Sequence, residues 1–173
     1  SIFNDIQFGT ADTLVSIKGT TYPTIAIFRN PTIGGSNTFD VGFKVEDDGA
    51  GFTQLTVDSL LYQRVGATYP SKMFSVTGAG SELNLFNSGA RNDTASGTFL
   101  EVQDGANIRA SGCLISGFDK AVHVKNIGVA PTISFGTSQA DSSGTYDIFI
   151  EHPGATGSIT GSIISASQFS GSF

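Results

Sequence analysis

This chain of 173 residues has no tryptophan, one cysteine and one methionine, and only 14% of its residues are charged. Each shortage excludes something. Cys113 stands alone, so no intrachain disulfide forms and no cysteine-based zinc cluster can be assembled. No apolar run approaches the 18 or so residues of a membrane-spanning helix, so membrane insertion is not expected. The N-terminal SIFNDIQF has neither a basic start nor an apolar core, so it does not read as a signal peptide, and it lacks an initiator methionine. The expectation is a processed chain or a piece of a longer one. Nine Lys and Arg against fifteen Asp and Glu give a formal charge of −6. That is a poor balance for nucleic acid, whose binding depends on neutralising phosphates, so no nucleic-acid partner is expected.

Glycine is abundant, at 22 residues, and phenylalanine reaches 14. Low charge with ample apolar surface is not a disorder composition. It suits a β protein with many corners. The longest polar loops are read as Asn30–Asp40, Gln63–Ser71, Ser88–Gly97 and Ser138–Thr145. They read as solvated turns. The Asn92-Asp93-Thr94 sequon within one of them occurs by chance at this frequency.

A short unit recurs along the chain. Its first strand reads Val15-x-Ile17, Phe43-x-Val45, Phe74-x-Val76, Leu100-x-Val102, Val122-x-Val124 and Ile148-x-Ile150. Successive starts are 28, 31, 26, 22 and 26 residues apart. A Gly-small corner follows five of them: Gly49-Ala50, Gly78-Ala79, Gly105-Ala106, Gly128-Val129 and Gly154-Ala155. The small residue is expected to point inward, where a corner leaves little room. A second strand comes next: Ile25-x-Ile27, Leu55-x-Val57, Leu83-x-Leu85, Ile108-x-Ala110, Ile133-x-Phe135 and Ile159-x-Gly161. A third apolar element is less regular, at Leu60-Leu61, Leu114-Ile115 and Ile163-Ile164. Alternation within each piece is strand periodicity with one face buried. Strands this short need neighbours on both sides, and a repeat of this length with strand–corner–strand content is a solenoid coil.

The pattern resembles the right-handed parallel β-helix of the pectate-lyase-like superfamily, over about residues 13 to 169. The expected fold is therefore all-β, a right-handed parallel β-helix (solenoid) of about six coils. Residues 1–12 would form an N-terminal cap or lead-in and 13–173 the β-helix domain. An antiparallel β-sandwich is the alternative, although a sandwich has no reason to repeat the corner at every second strand. The closest likeness in character is to phage or viral fibre modules and adhesins.

In such a stack equivalent residues form ladders. The outward position of the first strand reads Ser16, Lys44, Ser75, Glu101, His123 and Phe149, which makes Glu101 and His123 neighbours. A carboxylate beside an imidazole is an acid–base pair in principle, and a solvated cross-strand pair in the plainer reading. Lys18, Glu46, Thr77, Gln103, Lys125 and Glu151 form the next ladder and read as register support. The acidic run Glu46-Asp47-Asp48 reads as a solvated corner rather than a calcium site. Enzymes of the resembled superfamily cleave acidic polysaccharides. The Asn-Thr-Asp, Gly-His-Gly and Arg-x-Pro-x-x-Arg signatures of its hydrolases and lyases are missing here. Cys113, in an apolar run, reads as a small core residue.

The function expected is a non-enzymatic structural or attachment module of an extracellular or virion fibre or adhesin. The partner would be a cell-surface glycan or another surface receptor, with no cofactor and no metal. The assembly would be a homotrimer or part of a longer rod. Glu101, Asp104, Arg109 and His123 are the carbohydrate-binding candidates. A polysaccharide lyase or glycoside hydrolase domain, with those four residues sharing one groove, is the alternative. The missing signatures lean against an enzyme without excluding one.

Overall fold

The computed structural model describes residues 1–9, 11–34, 39–48, 51–64, 70–141, 145–162 and 169–172. Among them there is no helix; every regular element is a strand, and every strand pairing is parallel. The strands fall into three sheets. The first, sheet A, is built from β1 (Ile2–Asn4), β4 (Thr24–Arg29), β7 (Thr53–Asp58), β10 (Ser81–Phe86), β13 (Asn107–Ser111), β16 (Thr132–Gly136) and β19 (Thr156–Thr160), in that order. Sheet B orders β2 (Gln7–Phe8), β5 (Thr32–Ile33), β8 (Leu61–Arg64), β11 (Gly89–Asn92), β14 (Leu114–Ser116) and β17 (Gln139–Asp141). Sheet C orders β3 (Thr13–Gly19), β6 (Val41–Asp47), β9 (Lys72–Thr77), β12 (Thr98–Gln103), β15 (Lys120–Val124), β18 (Tyr146–Ile150) and β20 (Phe169–Ser170). The chain visits A, B and C in turn and then starts the next rung. This is a three-sided parallel β-solenoid; the six strands of sheet B span five turns. Parallel pairing throughout removes the antiparallel sandwich.

Sheet C has the register that its alternation demands. Val15, Phe43, Phe74, Leu100, Val122 and Ile148 form one column, and Ile17, Val45, Val76, Val102, Val124 and Ile150 another. From Phe43 onward the members of both columns are buried. Sheet A agrees through its middle, where Leu55, Leu83, Ile108 and Ile133 align and all are buried.

Two of its strands correct the sequence reading. In β4 the inward residues are Ala26 and Phe28, while Ile25 is 45% exposed. Four successive apolar residues leave alternation with no vote, and a one-residue slip exchanges the faces. Core volume decides: Phe28 stacks on Phe3 at 4.7 Å and meets Phe43 edge-on at 5.7 Å. In β19 Ile133 pairs with Gly157, and Ile159 moves along to Phe135. Gly157 has φ +153°, and a Cβ there would run into the Ile133 carbonyl, so only glycine fits that rung.

The corner between sheets C and A is also partly corrected. Its buried small residues are Thr53, Ser81, Ala106, Pro131 and Ala155. Ala106 and Ala155 point inward as expected, but Ala79 is exposed and Val129 is 62% exposed. Gly49-Ala50 and Ile163-Ile164 lie outside the described residues. The irregular third element is a full sheet. β5, β11 and β17 occupy stretches read as loop, and Ile33, Tyr62, Ala90, Ile115 and Ala140 form its inward column.

A further regularity sits at the corner between A and B. Asp5, Asn30, Ser59, Asn87, Gly112, Thr137 and Gly161 all have positive φ, once per coil. The residue after each begins the next inward column, and from the fourth coil onward it reads Ser88, Cys113, Ser138 and Ser162. The hydroxyls climb the stack: Leu60 N–H donates to Ser88 Oγ at 3.2 Å and Cys113 N–H to Ser138 Oγ at 3.1 Å. Ser138 N–H donates to Ser162 Oγ at 3.3 Å. Cys113 thus stands in a serine ladder, its thiol directed at the carbonyls of Ser111 and Leu85. Burial pushes the thiol pKa up, against the lowering by its hydrogen bonds to Ser88, Ser138 and Ser111.

Phenylalanine fills the interior as a spine. Phe28, Phe43, Phe74, Phe99 and Phe118 contact in sequence with centroids 5.0 to 5.7 Å apart, and Phe118 leads on to Tyr62 at 6.4 Å. Aromatic pairs in offset or edge geometry add to their area burial, and here each rung braces the next.

Candidate functional site

Two features of the outer surface carry chemistry: a charge ladder on sheet C and a groove on sheet B. Parallel register brings Glu101 beside His123, with Ser75 before and Phe149 after. Although it faces outward, the Glu101 side chain is only 6% exposed. Lys72 Nζ stands 2.6 Å from Oε1, while Lys125 Nζ and His123 Nδ1 stand 3.9 and 4.0 Å from Oε2. The other ring nitrogen of His123 lies 3.1 Å from Glu151 Oε1. These are ion-pair separations; neither Glu101 Oε1 nor His123 Nε2 makes an aligned hydrogen bond. The ring of His123 lies 5.2 Å from that of Phe149, which stacks on Tyr146 at 4.7 Å. Lysines over one carboxylate and carboxylates on both sides of one imidazole make a neutralised ladder. Each carboxylate in it has a basic nitrogen within 4.0 Å.

Beside it, Asp119 accepts hydrogen bonds from Lys120 Nζ at 2.5 Å and from the Thr145 hydroxyl at 2.6 Å. Partial burial would raise this carboxyl pKa. The hydrogen bonds and the Lys120 charge outweigh it, so Asp119 titrates below the ordinary carboxylate value.

The other two candidates lie elsewhere. Asp104 is a corner residue with φ +55°, whose carboxylate accepts the Val129 N–H at 3.2 Å. Arg109 is exposed on sheet A, between Asn84 and Ser134. So Glu101 and His123 adjoin, Asp104 closes a turn on the same side of the coil, and Arg109 belongs to another sheet. The four do not line one groove. Sequence reasoning gave Lys125 and Glu151 only a register role and missed Lys72, which its unit boundary at Phe74 left out. In the acidic run, Asp47 accepts the Gly51 N–H, Glu46 meets Lys44 at 2.8 Å and Asp48 meets Lys18 at 3.9 Å.

The groove was not anticipated. Its outer column reads Leu61, Gly89 and Leu114 across three rungs, with the leucines 58% and 53% exposed. The parallel column reads Gln63, Arg91 and Ser116. Between the leucines Gly89 leaves a slot in a cavity of about 600 Å³. A loop held by its own hydrogen bonds forms its rim. Asn92 is 1% exposed and donates to the Ser96 carbonyl at 2.9 Å, and the Thr94 hydroxyl donates to Asn92 Oδ1 at 3.0 Å. The sequon asparagine is therefore committed to holding the loop. Arg91 Nε donates to Asp93 Oδ1 at 2.9 Å at the groove's edge.

No family model, no curated protein and no solved structure matches this chain.

Proposed function

We propose that this solenoid is a non-enzymatic structural and attachment module of an extracellular or virion fibre or adhesin, and that its partner is a cell-surface glycan. The observation that carries the reading is a division of labour between two faces. The carboxylates of sheet C already have basic side chains 2.6 to 4.0 Å away. The concave surface with an apolar floor and a polar rim is on sheet B. A hydrolase needs two carboxyl groups flanking one scissile bond. Arg109, on sheet A, is on a different face from Glu101 and His123. A stack whose backbone bonds run continuously from rung to rung is a stiff spacer, which suits a fibre.

The test is a glycan array with the purified chain, followed by a reducing-end assay on each hit. Binding without release of reducing ends is the expected result. Cleavage that Glu101→Gln abolishes would replace this reading with the hydrolase or lyase. Silence on the array would reduce the function to that of a spacer. Sedimentation velocity tests the assembly: a trimer or longer species is expected, and a dilute monomer would remove that part.

A further inference from the structure

We infer that the slot over Gly89 is the saccharide subsite, and that it takes the apolar C–H face of a neutral pyranose ring. This deepens the function proposed above and rests on it. The floor is two exposed leucine side chains flanking a glycine whose missing Cβ would meet nothing within 4 Å. Since Gly89 there has no positive φ to require glycine, the backbone does not explain its presence. What its absent side chain provides is space. Leu61 and Leu114 are two rungs apart, about 10 Å, which leaves room for one flat ring between them.

The rim supplies what a ring's hydroxyl edge requires. Arg91 is fixed through its Nε by Asp93, which leaves planar donors and a carboxylate side by side, and Gln63 and Ser116 flank it across the rungs. Such sites combine an apolar lining with a few placed polar groups. Other occupants fit less well. An extended peptide would need a free strand edge, whereas β11 is bonded on both sides, to β8 and β14. An acidic glycan would meet a chain of formal charge −6, and the groove's arginine is already paired with Asp93.

The decisive variant is Gly89→Val. Valine suits a strand and completes an apolar ladder between the leucines, so it fills the slot while leaving the fold as stable or more so. The probes are maltotriose, cellotriose and mannotriose, with sialyllactose as the acidic comparison. They are titrated into ¹⁵N-labelled protein while the amide signals of Gly89, Arg91 and Leu114 are followed. At least one neutral trisaccharide is expected to shift these amides, with Gly89→Val weakening it by about tenfold or more and Arg91→Ala also weakening it. Three results overturn the assignment: no neutral trisaccharide moving these amides, sialyllactose moving them more, or Gly89→Val binding as well as the parent. If the array reports a ligand whose shifts map to another face, the attachment function stands and this subsite falls. If the array is silent, both fall.

Discussion

Replacing Phe74 by alanine removes the middle of the aromatic spine. Phe74 is fully buried, stacked on Phe43 at 5.0 Å with 14° between the planes, and edge-on to Phe99 at 5.3 Å. Truncating a buried phenylalanine costs about 3–5 kcal/mol, from lost transfer energy and from the cavity left behind. Collapse would reduce that cost, but β9 is bonded to β6 on one side and β12 on the other, so the backbone cannot close the gap. Two aromatic pairs also go, each worth about 0.5–1.5 kcal/mol beyond area, which places the change at the upper end, near 4–5 kcal/mol. With a urea slope of about 2 kcal/mol/M the unfolding midpoint should fall by about 2 M. Phe86→Ala is the control. Phe86 lies on the outer face of sheet A at 36% exposure, and its loss should cost under about 1 kcal/mol. Equilibrium urea unfolding by far-UV circular dichroism measures both. If Phe74→Ala costs no more than Phe86→Ala, the spine does not stabilise the stack as argued.

Cys113→Ser restores the hydroxyl that Ser88, Ser138 and Ser162 carry in the same ladder, so it should change stability by less than about 1 kcal/mol. Cys113→Val leaves the ladder's polar groups unpaired and should cost about 1–3 kcal/mol by the same urea assay. Thr137→Asn puts at φ +47° a residue that tolerates the left-handed region, as Asn30 and Asn87 do, and should raise the thermal midpoint through a gain of about 0.5–1 kcal/mol. Asp119, with its pKa lowered in the fold, stabilises the protein above the unfolded carboxylate value near 4, and that contribution disappears as pH falls through the folded value. Asp119→Asn should therefore flatten the loss of urea stability between about pH 5 and 2 relative to the parent. Equal slopes in the two proteins would contradict this. Lys72→Met leaves the buried Glu101 with its more distant partners and should destabilise by about 1–2 kcal/mol, and a neutral effect would show that the ladder is solvated.

What was legible in the sequence follows from how strongly each face is polarised. Sheet C alternates apolar with Ser, Lys, Glu and His, so its columns and the Glu101–His123 contact could be read off directly. Sheet A could be read through its middle, where polar residues separated its apolar ones; it misled at Ile25-Ala26-Ile27-Phe28, where none did, and in β19, where Gly157 takes the place of an apolar residue. Sheet B was hidden. Its strands are two to four residues long, too short for a period to show, its inward residues range from alanine to tyrosine, and it turns Leu61 and Leu114 outward. The groove was missed for the same reason, since exposed leucines beside a glycine look like a core strand and a turn. The positive-φ corner was equally silent. Asp5, Asn30 and Asn87, at the first, second and fourth corners, could have hinted at it, but Thr137 and Ser59 have no preference for that conformation.

Every ladder and the groove depend on one claim, that separation along the solenoid is set by rung and not by sequence. Spin labels on outward cysteines test it directly in a Cys113→Ser background, pairing position 18 with 103, 125 or 151. These are three, four and five rungs apart in the Lys18 column, so pulsed dipolar spectroscopy should report backbone separations of about 14, 19 and 24 Å, rising by one strand spacing each time. Distances that fail to rise in equal steps would contradict the parallel stack and everything placed on its faces.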